Sequence, residues 1–169
     1  MTMSSPSSES EQVAPVPGAA DLVERFAQAW AQMDPDAFTP LFRPDVHLIH
    51  PIERDTHGVQ QARNFMARTM SLIPDLRYDV QGWASGSDHV IIWGRLYGTI
   101  GGGPIEWPLV DRIKLEDGLI RERVAYFDPL VILGTVARRP SAWWPFVRGQ
   151  LRRLSGGYTH PAGRQDERS

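Results

Sequence analysis

The sequence contains no cysteine, and this absence excludes several kinds of chemistry. Without cysteine there is no disulfide framework, no thiolate nucleophile and no zinc site built on thiolates. The five histidines lack the HxxxH spacing by which a helix presents two metal ligands. The glycine run at 101–103 has the composition of a hairpin loop, not the strand-to-helix context of a phosphate cradle. The sequence therefore predicts no metal site and no cofactor.

Long apolar runs are missing as well, and none approaches the roughly 20 residues that span a bilayer. The opening MTMSSPSSESEQ has no apolar core and does not resemble a secretion signal. We therefore expect a soluble and, by default, cytoplasmic protein. The formal net charge of -2 gives no overall electrostatic reason to bind nucleic acid.

The composition predicts one domain with tails, because 169 residues with 41% hydrophobic content can bury one sizeable core. Residues 1–19 are rich in Ser, Pro and Glu and are predicted to be a disordered tail. The domain is expected over 20–135. A basic, aromatic and partly helical extension is expected over 136–154, followed by a mobile tail over 155–169.

Apolar periodicity predicts three helices in the first half of the chain. Asp21 and Glu24 have capping-box spacing, and the apolar residues after them recur at helical intervals. A second short helix is predicted over 35–42 and a third from Gly58 until Pro74 stops it, with a short strand at 46–50 between them.

From residue 76 onward the apolar period changes to two, which predicts strands at 76–83, 89–99, 105–115 and 119–127. The connections between them are too short for a crossover helix, so consecutive strands are expected to be antiparallel neighbours. The predicted fold class is α+β. A curved sheet wrapped around helices would form a cone with an apolar hollow, where small ligands bind.

Asp111 is an acidic residue on an otherwise apolar strand face that it shares with Trp107, Leu109 and Ile113. An inward carboxylate costs several kcal/mol of desolvation unless a partner compensates it. Asp111 is therefore either a structural partner of Arg123 or Arg95, or a chemical group. Periodicity alone leaves the inner face of the strand at 119–127 undecided.

Four segments resemble the SnoaL-like branch of the nuclear transport factor 2-like superfamily. They are FAQAWAQMDPDAFTPLFRPDVHLIHP, the HG before the third helix, IPDLRYDV and DRIKLEDGLIRERVAYFDP. This branch includes ketosteroid isomerases, polyketide cyclases and limonene epoxide hydrolases, and the resemblance covers about 21–129. It implies a cone-shaped α+β barrel in which three N-terminal helices pack in a curved, mostly antiparallel sheet. It also implies a homodimer with a small hydrophobic ligand in the hollow.

The resemblance implies two catalytic residues. Asp111 matches both the isomerase aspartic acid that donates to the substrate oxyanion and the acid-base aspartate of the cyclases. An apolar pocket keeps such an acid protonated, as the ketosteroid isomerase example shows. His50 stands where the isomerases carry their general base, and histidine is a competent proton carrier at neutral pH. Its alternative role is that of a partly exposed or core histidine before a turn.

Several other residues are candidates for substrate binding. Arg95 fits the arginine of the epoxide hydrolases, whose two aspartates are replaced here by Tyr97 and Ala125. Arg123 is placed inward by the resemblance, and aromatic side chains either donate to the ligand or pack against it. The predicted substrate-binding set is Arg95, Tyr97, Trp30, Trp107, Arg123, Phe127 and Phe26, the last replacing the isomerase tyrosine.

The leading functional hypothesis is a cofactor-free acid/base isomerase or cyclase that acts on a hydrophobic carbonyl compound of steroid-like or polyketide-like character. The alternative is a non-catalytic module for small-molecule binding or dimerisation. A hydrolase similar to limonene epoxide hydrolase is the third.

The segment RRPSAWWPFVRGQLRRL, residues 138–154, has three competing uses. It could close the mouth of the barrel, form a dimer contact or lie on a membrane surface as basic amphipathic segments do. Packing is favoured over membrane contact because Pro145 and Gly149 interrupt a continuous helix.

Overall fold

The structure, a computed structural model, describes residues 14–141 and Trp143. The described residues form three α-helices, one 3-10 helix and six strands. In chain order they are α1 (Ala19–Gln32), the 3-10 helix (Pro35–Leu41), β1 (Phe42–Ile49), β2 (Thr56–His57), α2 (Val59–Leu72), β3 (Arg77–Ser85), β4 (Val90–Ile100), β5 (Gly103–Glu116), β6 (Leu119–Tyr126) and α3 (Pro129–Arg138).

The strands form one curved sheet in the order β2-β1-β6-β5-β4-β3, which does not close on itself. Strands β1 and β6 pair in parallel, and every other pair is antiparallel. The three N-terminal helical segments pack on the inner face of the sheet, where α1 contacts β3 and α2 contacts β1. The predicted α+β class and cone-shaped arrangement are confirmed.

Helix α1 buries the apolar stripe expected from its sequence, including Leu22, Phe26 and Trp30. The predicted capping box is wrong, because the helix begins earlier, at Ala19. It follows Gly18, whose φ of 78° lies in the left-handed region that glycine tolerates. Asp21 instead lies in the first turn and pairs with Arg25 at 2.8 Å, one turn further along.

The second helical segment is a 3-10 helix. The Asp34 side chain accepts a hydrogen bond from the Asp36 amide, and Pro35 occupies the first turn. Pro40 has no amide hydrogen, which prevents a regular α-helical ladder there. Strand β1 then begins at Phe42, four residues before the predicted start, and His50 lies just beyond its end.

The ordered domain extends past both predicted boundaries. Val16 packs in the core and its amide donates to Ser85 Oγ at 2.8 Å, so the predicted tail over 1–19 is too long by at least four residues. Residues 1–13 lie outside the described part.

At the other end, the sequence pattern did not predict α3, whose first turn is capped by the Asp128 side chain. This helix crosses the predicted boundary between 135 and 136. The rest of the basic extension after Trp143, and the predicted tail at 155–169, lie outside the described residues.

Candidate functional site

A cavity of about 160 Å³ lies between α2, the inner face of the sheet and α3. Its wall is mainly apolar, and the polar groups in it are few. The lining consists of Trp30, His50, Ile52, Glu53, Phe65, Arg68, Thr69, Leu72, Ile73, Leu76, Leu96, Trp107, Leu109, Arg123, Ala125, Phe127 and Ile132.

Arg123 and Asp111 form a buried ion pair beside this cavity. Asp111 on β5 pairs with Ala125, and Arg123 on β6 pairs with Ile113, so both side chains share the inner face. The Nε and Nη2 atoms of Arg123 both lie 2.9 Å from Asp111 Oδ1. The side chains are only 5% and 0% exposed. The alternation that placed Asp111 inward is therefore confirmed, and its partner is Arg123.

Of the two charged groups, Arg123 reaches the cavity wall and Asp111 does not. Burial raises the pKa of Asp111, while the positive charge of Arg123 opposes that shift. Its second oxygen, Oδ2, has no hydrogen-bond partner among the described residues. The carboxyl group is therefore sealed behind the guanidinium.

His50 lines the cavity directly after β1, and its ring stacks on Phe65 at 3.9 Å between centroids. Burial, together with the positive charge of Arg123, lowers the pKa of His50 to about 3. The imidazole is therefore neutral at neutral pH. Its Nε2 atom is buried and has no partner in the described chain.

Two tryptophans add hydrogen-bond donors to the wall. Trp30 from α1 and Trp107 from β5 both line the cavity, and neither Nε1 atom has a partner within the described residues. An indole nitrogen can only donate, and a buried donor normally has an acceptor. The wall therefore suits a ligand that is mainly apolar and carries an oxygen acceptor.

An ion pair lies at the more exposed side of the cavity. Arg68 on α2 contacts Glu53 Oε2 through Nη2 at 3.1 Å, and both side chains are partly exposed. We call this side the mouth of the cavity.

Arg95 and Tyr97 were predicted to bind substrate, but they lie on the outer face of the sheet. Leu96 between them is buried in the wall, so strand alternation turns both neighbours outward. Arg95 is 42% exposed and contacts Glu106 at 3.0 Å, and the Tyr97 hydroxyl donates to Asp79 at 3.4 Å. Neither residue lines the cavity, and Arg95 is not the partner of Asp111.

The two predicted phenylalanines differ in position. Phe127 lines the cavity, whereas Phe26 is fully buried behind it with the Arg123 guanidinium 5.6 Å from its ring centroid. Phe26 therefore supports Arg123 through a cation–π contact and lies outside the cavity wall.

Tyr78 is a polar residue beside the site that was not predicted from the sequence. Its ring packs edge-on against Phe26 at 6.1 Å and Trp30 at 5.6 Å, and its hydroxyl has no partner in the described part of the chain. Burial and the charge of Asp111 raise the pKa of Tyr78, so the phenol stays neutral. Its pairing with inward Leu96 across β3 and β4 explains its direction, and simple alternation along IPDLRYDV could have identified it.

The site also contains residues from α2 and α3. Phe65 comes from α2, which the sequence predicted as the third helix, whereas Ile132 comes from α3, which was not predicted. No group of three or more His, Asp or Glu side chains within the described chain is placed to hold a metal ion.

Solved structures with this arrangement define the class of fold. A protein from Jannaschia sp. CCS1 described as a SnoaL-like polyketide cyclase superimposes with a TM-score of 0.63 at 21% identity, covering 71% of this chain and 94% of its own. A protein from Catenulispora acidiphila DSM 44928 with a ketosteroid isomerase-like fold, in complex with trimethylamine, gives 0.63 at 24% identity over 68% and 90%. TerC, co-crystallised with polyporic acid, gives 0.64 at 16% identity over 69% and 96%.

These similarities establish a fold of the type shared by NTF2-like and ketosteroid isomerase-like proteins. The family model of the SnoaL-like domain matches residues 23–123. The chain therefore belongs to the SnoaL-like family, as the sequence resemblance predicted. No protein of curated function matches the sequence.

Proposed function

We propose that this protein is a cofactor-free acid/base enzyme of the isomerase or cyclase type that acts on a small, mainly apolar carbonyl compound. The observation that carries this proposal is an apolar cavity whose wall combines a neutral imidazole, His50, with a guanidinium, Arg123. A base and a cation in water-poor surroundings are the two groups that enolisation of a carbonyl compound requires.

In the proposed reaction, the carbonyl oxygen of the ligand accepts hydrogen bonds from Arg123 and from an indole N–H of Trp30 or Trp107. His50 Nε2 takes a proton from the carbon next to the carbonyl and returns it at another position. The negative charge that develops on oxygen is stabilised by donors already fixed by the fold, which requires little reorganisation.

The low pKa of His50 makes it a weak base in the free protein. Part of that lowering comes from the charge of Arg123. An enolate oxygen next to Arg123 would offset this positive charge, so the proton affinity of His50 would rise as the proton is transferred. The two residues are therefore coupled through the charge of the reacting oxygen.

Asp111 has a different role in this proposal from the one that the resemblance implied. Because Asp111 is sealed behind Arg123, it does not donate a proton to the ligand. It positions the guanidinium on the cavity wall through two contacts of 2.9 Å. Asp111 is thus a positioning residue, and Arg123 is the group that touches the substrate.

The cavity volume bounds the size of the ligand. A cavity of about 150 Å³ is enough to hold benzene, so about 160 Å³ accommodates roughly one ring. A compound with further rings would have to extend through the mouth at Glu53 and Arg68. The similar folds described as a SnoaL-like polyketide cyclase and as TerC co-crystallised with polyporic acid support a small organic ligand for this cavity.

The test is proton exchange in heavy water. Cyclic and aromatic ketones that raise the melting temperature of the protein are incubated with it in D2O, and loss of the α-proton signal is followed by NMR. We expect catalysed exchange that falls by about a hundredfold or more in His50→Gln, as for removal of a general base. The matched control is His47→Gln, whose side chain contacts Asp55 outside the cavity. Unchanged exchange in His50→Gln would contradict the proposal.

A non-catalytic binding module is the second candidate. The complete burial of Asp111 favours it, because the acid that enzymes of this family use is not accessible from the cavity. Ketones that bind tightly without any α-proton exchange would support this candidate over the enzyme. The epoxide hydrolase hypothesis gains no support, since Arg95 is on the outer face and Ala125 lines the cavity.

A further inference from the structure

Helix α3 is apolar on all sides. Thr135 and Arg138 are the only polar residues in its sequence, PLVILGTVAR. The protein covers one side, where Ile132 and Val136 are buried. A helix that is apolar all round normally has both sides removed from water.

The opposite side of α3 is open. Leu130 is 69% exposed, Leu133 is 40% exposed, and Ala137 follows one turn later on the same side. Trp143 donates through Nε1 to the Val136 carbonyl at 2.9 Å, and this bond holds an indole that is 52% exposed beside the helix. We call Leu130, Leu133, Ala137 and Trp143 the α3 surface.

The net charge of the sequence changes sign at the start of this helix. Residues 1–128 contain 11 basic and 18 acidic residues, a net charge of -7. Residues 129–169 contain seven arginines and two acidic residues, a net charge of +5, and no acidic residue occurs before position 166. A charge asymmetry of this kind indicates a polyanionic partner for the basic part.

We propose that the α3 surface docks on an anionic lipid surface. Leucine and tryptophan side chains would enter the boundary between head groups and acyl chains, while Arg138 at the end of the helix approaches the lipid phosphates. This is binding at the surface only, since no helix among the described residues is long and apolar enough to cross a membrane.

Charge argues for lipid and against a second copy of this chain. Each copy carries a net charge of +5 in its sequence from residue 129 onward, which disfavours the association of two copies through α3, whereas an anionic lipid surface attracts this charge. The interruption by Pro145 and Gly149 does not affect this surface, because α3 ends at Arg138.

The experiment is co-sedimentation of the full-length protein with two kinds of vesicle, one of phosphatidylcholine alone and one in which a quarter of the lipid is phosphatidylglycerol. We expect binding to the anionic vesicles that weakens at high salt. Leu130→Ser/Leu133→Ser is expected to weaken it by about tenfold or more, through loss of apolar insertion. Arg138→Gln is expected to weaken it by about fivefold.

Two matched controls change similar side chains elsewhere. Tyr126→Ser removes an exposed aromatic side chain on β6, and Arg77→Gln removes an exposed arginine on β3. Both are expected to bind the anionic vesicles as the wild type does.

Three results would overturn the proposal. One is the absence of binding to anionic vesicles at low salt, and another is unchanged binding by the double serine variant. The third is a fall in molecular mass of that variant by light scattering, which would show that a second copy covers the α3 surface. None of these results depends on the outcome of the ketone exchange experiment.

Discussion

Arg123 contacts a single oxygen of Asp111 with two of its nitrogens, at a place from which water is excluded. A buried ion pair adds little net stability compared with apolar residues of similar volume. Removal of one partner, however, leaves an uncompensated charge in an apolar region. The pair therefore contributes little to stability and is costly to break. In our proposal the protein retains it because Asp111 holds Arg123 at the cavity wall.

The first prediction concerns this pair. Arg123→Met is expected to lower the free energy of unfolding by about 3–5 kcal/mol, because Asp111 stays buried without a partner. Adding Asp111→Leu to that variant is expected to recover most of the loss. Urea unfolding measures both effects. Equal destabilisation in the single and the double variant would mean that packing, not charge, explains the loss.

The matched control for this prediction uses the same two strands. Arg112 contacts Glu122 at 3.0 Å on the outer face, where both side chains are partly exposed. Arg112→Met is expected to cost less than about 1 kcal/mol, as for exposed pairs.

The second prediction concerns His50 and pH. Its pKa is about 3 in the folded protein and 6.5 when unperturbed, so between these values the unfolded chain binds the extra proton. Stability should therefore fall as pH is lowered from 6.5 towards 3, with a slope from this residue of about 1.4 kcal/mol per pH unit. His50→Gln should lack this component. Parallel stability curves for the two proteins between pH 6.5 and 3 would contradict the assignment.

At the scale of single residues, the sequence could identify Asp111 as inward but could not choose between Arg95 and Arg123 as its partner. Each arginine lies on a strand whose side chains alternate between two faces of the sheet. Alternation alone does not tell which of these faces is buried. The choice depends on the pairing of β5 with β6, which places Arg123 beside Ile113 on the buried face. The position of His50 at the end of β1 could be predicted from the sequence, because a proline follows it and ends the strand.

Among the elements, α3 is held both along its inner side and just beyond its C-terminal end. Its inner side contributes Ile132 to the cavity wall. Beyond its C-terminal end, the Arg139 guanidinium donates to the carbonyls of Ile100, Gly103 and Pro104 at 2.7, 2.5 and 3.1 Å. The turn between β4 and β5 therefore anchors the end of the helix that closes one side of the cavity.

The third prediction tests this anchor. Arg139→Met removes three hydrogen bonds from a charged donor, so the amides of α3 are expected to exchange with deuterium at least about tenfold faster. Hydrogen-exchange mass spectrometry measures this, with Arg138→Met as the control because Arg138 is exposed. Faster exchange throughout the chain, instead of in α3, would show a general loss of stability.

The elements that the sequence predicted well are those with a clear period. The amphipathic stripes of α1 and α2 and the alternation of β3 to β6 gave boundaries within a few residues. Helix α3 was missed because a short run that is apolar on all sides has no period to detect. The pair Asp128–Pro129 was the available signal, a capping residue followed by proline in the first turn.

For the whole molecule, the resemblance implies a homodimer. The fourth prediction is therefore a mass by light scattering of twice 19.0 kDa. Because the net charge of +5 in the sequence from residue 129 onward opposes association through the α3 surface, the Leu130→Ser/Leu133→Ser variant is expected to keep that mass. A wild-type mass of 19.0 kDa would contradict the dimer.

The parallel pairing of β1 with β6 also determines when the site can form. Leu48 pairs with Arg123, so these neighbours in the sheet are separated by most of the domain's sequence. Contacts between distant parts of a chain form late and slow folding, because a large loop must close first. During synthesis, His50 emerges from the ribosome long before Arg123 and Ile132. The cavity is therefore completed in the last stage of folding, after nearly the whole domain has been translated.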